Sequence, residues 1–134
     1  MALKIYTDGA SKGNPGKAGA GIAISDTDSD VRGPIYELSY PLGVKTNNEA
    51  EYLAVVRGLE FMDEMGFKEA DFYSDSQLLV KQINGEYKVK APKVIPLFNQ
   101  VKSLLIGKTC SFKWLRREEN SKADELANIG VEKN

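Results

Sequence analysis

Four acidic residues, Asp8, Glu51, Asp75 and Asp124, stand out in this chain of 134 residues. Asp8 and Asp75 follow short predicted strands, whereas Glu51 and Asp124 lie near the starts of predicted helices. Crowded carboxylates repel one another and raise their own pKa values unless cations lie between them. Oxygen ligands of this kind suit Mg²⁺ or Mn²⁺, and two such ions can activate water in phosphodiester hydrolysis. If the four acids converge, they therefore predict a divalent-metal site.

The composition excludes several other chemistries. The chain contains no histidine, which rules out Ser-His-Asp and Cys-His mechanisms. A single cysteine, Cys110, excludes an internal disulfide and a structural zinc cluster. The longest apolar runs are only a few residues long, so we predict neither a signal peptide nor a membrane span. We expect a cytoplasmic monomer that forms one domain over residues 1–134.

Charge is unevenly distributed along the chain, although the net charge is only −1. Residues 1–75 carry seven basic and thirteen acidic residues, whereas residues 76–117 carry nine basic residues and one acid. An acidic part beside a basic part is typical of a metal site next to a surface that binds a polyanion. A solvated surface whose charges happen to segregate is the alternative interpretation.

The segment from Leu3 to Gly16 is predicted to deliver Asp8 to an opening. Apolar and polar residues alternate from 3 to 7, and we expect this strand to end at Asp8 and Gly9. The glycine-rich residues 9–16 could let the backbone approach a bulky anionic ligand. An ordinary hairpin turn explains these residues equally well.

Two further strands are predicted around residues 20–24 and 36–42, and they form an antiparallel meander with the first strand. Between them, the acids of residues 26–30 with Glu37 match the spacing of a calcium-binding EF-hand loop. Val31 occupies the position where that loop requires glycine, and both flanks are strand-like. We therefore interpret residues 26–30 as a hairpin tip.

A helix is predicted from Thr46 to about residue 65. Thr46 and Glu49 have the spacing of a capping box, and Gly66 is a typical helix end. One stripe of this helix carries an acid among otherwise apolar or small residues: Glu51, Val55, Gly58 and Met62. A carboxylate on such a face is unfavourable unless a cation compensates it, which points to Glu51 as a metal ligand.

The second half of the chain alternates between strands and helices. Strands are predicted at 70–74 and 110–114, and helices at 77–84, at about 96–106 and from 121 to about 129. This alternation predicts that the strand before Asp75 runs parallel to the first strand. Asp8 and Asp75 would then lie at the same carboxyl edge, where ligands bind in open α/β sheets. Asp124 has an alternative role as the capping partner of Ser121.

Four groups of residues complete the pattern, in this order: Tyr6-Thr7-Asp8-Gly9-Ala10-Ser11 with Gly13-Asn14-Pro15-Gly16; Thr46-Asn47-Asn48-x-x-Glu51; Ser74-Asp75-Ser76-Gln77; and Asn120-x-x-Ala123-Asp124-x-Leu126-Ala127. Together they resemble the type 1 ribonuclease H family over nearly the whole chain. The resemblance implies an α/β fold, with a ribonuclease H-like five-stranded mixed sheet and helices on both faces. It also implies metal-dependent endonucleolytic cleavage of the RNA strand of RNA/DNA hybrids, with 3′-hydroxyl and 5′-phosphate products.

The same resemblance assigns roles to individual residues. It implies that the four acids bind Mg²⁺ or Mn²⁺ and that Asn14, Asn48 and Gln77 contact the hybrid in its minor groove. Thr46 matches a position associated with a DNA-strand phosphate. In the basic segment, Lys88, Lys90 and Arg117 are further candidates for substrate binding.

Two departures from the family pattern leave alternatives open. Many members carry a histidine on the loop before the last aspartate, but here residues 116–120 read RREEN. Arg116 and Arg117 could hold phosphate or could pair with Glu118 or Glu119 on the surface. The basic protrusion of many members is shortened to residues 85–90, and no separate hybrid-binding domain is expected.

A nucleic-acid-binding protein with little or no turnover is the main alternative. A related-fold exonuclease is less consistent, because residues 120–128 contain neither histidine nor tyrosine.

Overall fold

A computed structural model describes residues 3–26 and 34–134. One sheet has the strand order β3-β2-β1-β4-β5. The strands are β1 Leu3–Gly13, β2 Gly16–Ser25, β3 Tyr36–Lys45, β4 Glu69–Ser74 and β5 Thr109–Trp114. The helices are α1 Asn47–Met65, α2 Gln77–Ile83, α3 Ile95–Leu104 and α4 Ser121–Glu132, and a short 3-10 helix, Arg117–Asn120, precedes α4. The hairpin tip predicted at 26–30 lies, apart from Asp26, outside the described residues.

The sheet is mixed, as predicted. β1 is antiparallel to β2 and β2 to β3, whereas β1 with β4 and β4 with β5 are parallel pairs. α1 packs on one face and α4 on the other, where α4 contacts β1, β2 and β3. The apolar core includes Ile5, Ile22, Leu59 and Phe72, which are at most 1% exposed. These elements confirm the predicted fold.

The end of β1 was predicted wrongly. The strand continues past Asp8 to Gly13, because β2 pairs with it along this whole stretch. The residues from 9 to 16 form the hairpin that joins the two strands, with Gly13 opposite Gly16. Small residues in this part of β1 obscure the alternation of apolar and polar side chains, so the sequence pattern predicts a strand end at Asp8. What does end near Asp8 is the pairing with β4, whose last pair is Tyr6 with Tyr73.

The caps of α1 form as predicted. The Thr46 hydroxyl accepts a hydrogen bond from the Glu49 amide at 3.2 Å, and Glu49 accepts one from the Thr46 amide at 3.0 Å. Gly66 ends the helix in the left-handed conformation at φ 74°. The three non-acidic members of the predicted stripe, Val55, Gly58 and Met62, are all buried.

The start of α4 differs from its predicted cap. Its N-cap is Asn120, and the described residues form no side-chain cap bond there. Ser121 is therefore already inside the helix, and the interpretation of Asp124 as its capping partner is wrong. Among the described helices, none combines the length and apolar character that crossing a membrane demands.

Glycines on β1 and β2 let both covering helices approach the sheet at backbone distance. A Cβ atom at Gly21 would lie 2.2 Å from the carbonyl oxygen of Ala123, and one at Gly19 would lie 2.3 Å from that of Ala127. On the other face, a Cβ at Gly9 would lie 2.2 Å from the Ala50 carbonyl carbon. Real side chains cannot occupy these positions, so the approach of α1 and α4 depends on glycine.

We predict that Gly21→Ala lowers the free energy of unfolding by about 2 kcal/mol or more, because the new methyl group meets helix backbone that cannot yield easily. Urea denaturation measures this loss. Gly58→Ala is a matched control, since its nearest contact is the Phe72 ring at 3.0 Å and alanine favours the helix. Its loss should be clearly smaller, and equal stability of Gly21→Ala and the parent would contradict the packing argument.

Candidate metal centre

Asp8 and Asp75 are brought together by the register of the parallel pair β1 and β4. The last paired residues are Tyr6 and Tyr73, and each aspartate lies two residues beyond its tyrosine. Beyond that pair β1 continues with β2, whereas β4 ends at Ser74. The two carboxylates therefore lie where β1 and β4 separate.

Glu51 reaches the same place from the first turns of α1. The backbone amide of Gly9 donates a 2.8 Å hydrogen bond to Glu51 Oε1. This contact depends on the close approach of α1 to β1, because a side chain at residue 9 would displace the helix. One glycine thus makes room for the helix and also orients its carboxylate.

The three carboxylates form a compact cluster. Single oxygen atoms of Asp8, Glu51 and Asp75 all lie within 4.8 Å of one another. Burial, followed by the negative charges of Glu51 and Asp75, raises the pKa of Asp8 well above its ordinary range. Burial also raises the pKa of Glu51, although the Gly9 hydrogen bond opposes this shift. Such mutual repulsion is what a divalent cation would relieve.

Asp124 lies on the wall of the same cavity, which has a volume of about 560 Å³. It is not a member of the three-oxygen cluster, but its charge contributes to the raised pKa of Asp8. Asn128, one helical turn further along α4, donates to the Asp124 carbonyl at 2.9 Å and approaches its carboxylate at 3.5 Å. The structure therefore gathers all four predicted acids around one cavity.

The donor set suits a hard divalent cation. Only carboxylate oxygens converge in the cluster, and neither histidine nor cysteine takes part. Mg²⁺ and Mn²⁺ prefer such ligands, whereas zinc sites usually include nitrogen or sulfur. The cavity above the cluster is open enough to admit water and a phosphate group together with an ion.

The two neighbouring arginines have different surroundings. Arg117 lines the carboxylate cavity, and its positive charge slightly opposes the rise that burial causes in the pKa of Glu51. Arg116 instead pairs with Glu119 at 3.4 Å on the surface, where its side chain is 71% exposed. Arg116 therefore forms the surface pair, and Arg117 is the arginine that remains a candidate for holding phosphate.

The predicted substrate-binding residues lie in three places. Asn14, Thr46 and Asn48 line a second cavity of about 620 Å³, together with Lys93, and it meets the carboxylate cavity at Asn47. Asn14 accepts a hydrogen bond from the Asn47 amide at 3.0 Å, which joins the hairpin to α1. Lys88 lines a separate cavity with Tyr87 and Phe98. Gln77 and Lys90 are exposed, and neither lines these three cavities of the described structure.

Sequence patterns missed three residues of the site. Lys12 and Asn128 line the carboxylate cavity, and Asn120 donates a hydrogen bond to Asp75 at 3.2 Å. Asn128 could have been found from its spacing of four residues from Asp124 on a predicted helix. Asn120 belongs to the last of the four sequence motifs, but no local pattern predicts its contact with Asp75 or the position of Lys12, because the hairpin and the junction before α4 determine where they lie.

Comparison with known proteins gives consistent results. Residues 6–130 match the family model described as reverse transcriptase-like. The chain is 36% identical to a ribonuclease HI from Halobacterium salinarum, over 97% of this chain and 64% of that protein. It is also 36% identical to a bifunctional protein from Mycobacterium tuberculosis, but it spans only 36% of that protein's length.

Solved structures extend the likeness to three dimensions. The ribonuclease H1 of H. salinarum superposes with a TM-score of 0.92 at 33% identity, covering all of both chains. LC11-RNase H1, isolated from compost and solved in complex with an RNA/DNA hybrid, gives a TM-score of 0.90 at 36% identity. That match covers 98% of this chain and 97% of the other. By sequence and by fold, this chain belongs to the type 1 ribonuclease H family.

Proposed function

We propose that this protein is a divalent-metal-dependent endoribonuclease that hydrolyses the RNA strand of RNA/DNA hybrids, leaving 3′-hydroxyl and 5′-phosphate ends. The observation that carries the proposal is the meeting of Asp8, Glu51 and Asp75 oxygens within 4.8 Å, in a member of this family. A homologue of similar length was solved with an RNA/DNA hybrid, which supports the same substrate class here.

The four acids are the proposed metal ligands and catalytic residues. Asp8, Glu51 and Asp75 would hold Mg²⁺ or Mn²⁺, and Asp124 would complete the site from the wall of the same cavity. A bound ion would supply a water of lowered pKa and positive charge for the phosphate. The protein itself fixes the Glu51 carboxylate through Gly9 and keeps the cavity open to a polyanionic strand.

The hybrid would cross the N-terminal end of α1. Following the family resemblance, we assign Asn14, Asn48 and Gln77 to the minor groove, where their amides could both donate to and accept from base edges and 2′-hydroxyls. Lys88 and Lys90 would contact the sugar-phosphate backbone and make binding sensitive to salt. Thr46 would approach a DNA-strand phosphate, although its hydroxyl already takes part in the α1 cap. We further propose that the protein acts as a cytoplasmic monomer.

The proposed specificity is testable with a set of three duplexes in Mg²⁺ or Mn²⁺. We expect cleavage of the RNA strand in an RNA/DNA hybrid, and no cleavage when that strand is made all-deoxy to give duplex DNA, because the 2′-hydroxyl is absent. Gel electrophoresis of labelled hybrid, duplex RNA and duplex DNA measures this. Cleavage of duplex DNA as readily as the hybrid would contradict the assignment, and binding without cleavage would favour the non-catalytic alternative.

The metal site predicts a separation of activity from stability. Asp75→Asn should abolish cleavage, yet leave the metal-free fold as stable or slightly more stable, because it removes one of several repelling charges. Mg²⁺ should raise the melting temperature of the parent protein but not of the variant.

Asp71→Asn is the matched control, on the strand β4 that ends just before Asp75. Asp71 accepts a hydrogen bond from Ser111 at 2.6 Å, an interaction that asparagine can keep, and it lies outside the cluster. This control should retain both cleavage and the Mg²⁺ response. Equal Mg²⁺ stabilisation of the parent and Asp75→Asn would argue against a metal site.

Arg117 is proposed to hold phosphate in place of the histidine found in many relatives. Arginine stays protonated at working pH, so it can donate hydrogen bonds but cannot act as a base. Arg117→Ala should reduce cleavage by about 10-fold to 100-fold, the loss of one or two charge-assisted hydrogen bonds. Single-turnover and steady-state kinetics separate a chemical defect from slow product release.

Arg116→Ala is the control for this prediction, because Arg116 pairs with Glu119 on the surface. Its cleavage rate should match that of the parent. If Arg117→Ala shows no defect in either kinetic regime, Arg117 has no role in the reaction.

A further inference from the structure

The side chain of Asn120 is a buried amide whose hydrogen bonds are unusual for a residue at the start of a helix. It is the N-cap residue of α4 and only 1% exposed. Asparagine is favoured at this position because its oxygen can accept a hydrogen bond from the first turn of the helix. Within the described structure, Asn120 makes no such cap bond. Its side chain therefore does something other than cap α4.

Both N–H groups of the Asn120 amide are directed at the two strands that carry the aspartates. Nδ2 donates to the Thr7 carbonyl on β1 at 2.9 Å and to Asp75 Oδ2 at 3.2 Å. An amide nitrogen has two hydrogens, so its donor capacity is fully used. The amide thus bridges the backbone next to Asp8 and the carboxylate of Asp75.

The oxygen of the same amide is not used. Asn120 Oδ1 is buried and accepts no hydrogen bond from the described residues. A buried carbonyl oxygen without a partner is unfavourable, so packing alone would favour leucine at this position. The two donors, rather than the oxygen, account for an asparagine here.

In the described part of the chain, the pairing of the strands does not itself connect the Asp75 side chain to β1. Backbone pairing between β1 and β4 stops at Tyr6 and Tyr73, before either aspartate. The Thr7 hydroxyl approaches the Tyr73 carbonyl only at 3.4 Å, and the Trp114 indole donates to the Asp75 carbonyl at 3.2 Å without reaching its carboxylate. Among the hydrogen bonds of the described residues, those of the Asn120 amide join the Asp75 side chain to β1.

Building on the proposed function, in which Asp8 and Asp75 bind the metal, we propose that Asn120 is a positioning residue that fixes the Asp75 carboxylate relative to Asp8. Like charges at this distance tend to separate into the open cavity. The Asn120 donors oppose that separation before any ion arrives. The Asp75 carboxylate would then be in position before a cation binds, which lowers the free-energy cost of ordering the ligands.

The test is the Mg²⁺ dependence of Asn120→Leu, which keeps a branch at Cγ but removes both donors. We expect the Mg²⁺ midpoint, measured by thermal shift and by isothermal titration calorimetry without substrate, to rise about 10-fold, the effect of losing a hydrogen bond to a charged group. Cleavage should fall at low Mg²⁺ and recover at high Mg²⁺, with the KM for the hybrid unchanged. An unchanged Mg²⁺ midpoint would overturn the proposal.

Asn84→Leu is the matched control. Asn84 also uses its amide to tie a helix end to a strand, donating to the Phe112 carbonyl at 3.0 Å, but it contacts no carboxylate of the site. It should lose stability while keeping the Mg²⁺ midpoint of the parent. If both variants shift the midpoint equally, the effect is one of general stability and the proposal fails.

Nuclear magnetic resonance of the parent protein covers the case in which Asn120→Leu does not fold. The Asn120 side-chain amide protons should exchange with solvent much more slowly than those of Asn84, and their chemical shifts should change when Mg²⁺ is added. Fast exchange or no Mg²⁺ response would overturn the role of Asn120. A parent protein that neither responds to Mg²⁺ nor cleaves hybrid would instead refute the proposed function, whereas an active parent with an unaffected Asn120 variant would refute only the positioning role.

Discussion

The site depends on how closely two helices approach the same pair of strands. Glycine at residue 9 lets α1 contact β1 at backbone distance, and glycines at 19 and 21 let α4 do the same to β2 on the opposite face. Glu51 is carried by one helix and Asp124 by the other, while Asp8 lies between them on β1. A wider spacing on either face would withdraw a carboxylate from the cavity. The glycines therefore control the geometry of the site, although none of them carries a functional side chain.

This convergence has an electrostatic cost that the fold partly offsets. Burial and the neighbouring negative charges raise the pKa of Asp8, so in the metal-free protein the cluster opposes folding at neutral pH. Hydrogen-bond donors reduce the cost at individual acids: the Gly9 amide at Glu51, the Asn120 amide at Asp75 and the Asn128 amide near Asp124. These donors hold the carboxylates in place without neutralising them. The remaining negative charge is available to attract a divalent cation.

The separation of β1 from β4 gives the cavity its position in the sheet. In open α/β sheets, ligands bind outside the carboxyl ends of the strands. Here β1 leaves β4 after Tyr6 and continues with β2, so the edge opens beside Asp8 and Asp75. The hairpin at the end of β1 then reaches α1 through Asn14, and a second cavity extends from the acids across the start of that helix. The end of the β1–β4 pairing thus leaves room for the carboxylate cavity beside the continuing β1–β2 hairpin.

The features that depend on neighbouring residues could be predicted from the sequence. The capping box of Thr46 and Glu49, the buried stripe of α1 and the alternation at the start of β1 all follow from spacings of two to four residues, and the structure confirms them. The four acids were also identifiable, because residue types are local properties, although Asp8 lies within β1 and not at its end. That these acids lie around one cavity is visible only in the tertiary structure, since the Gly9–Glu51, Asp75–Asn120 and Thr7–Asn120 contacts join residues 42, 45 and 113 positions apart. For the same reason, the sequence could not show that β1 continues past Asp8 or that Arg117 lies at the cavity while Arg116 does not. Nor could it show that the Asn120 side chain binds an aspartate and does not cap a helix. A local pattern reports how a segment is shaped, but the packing of helices on the sheet determines which side chains come together.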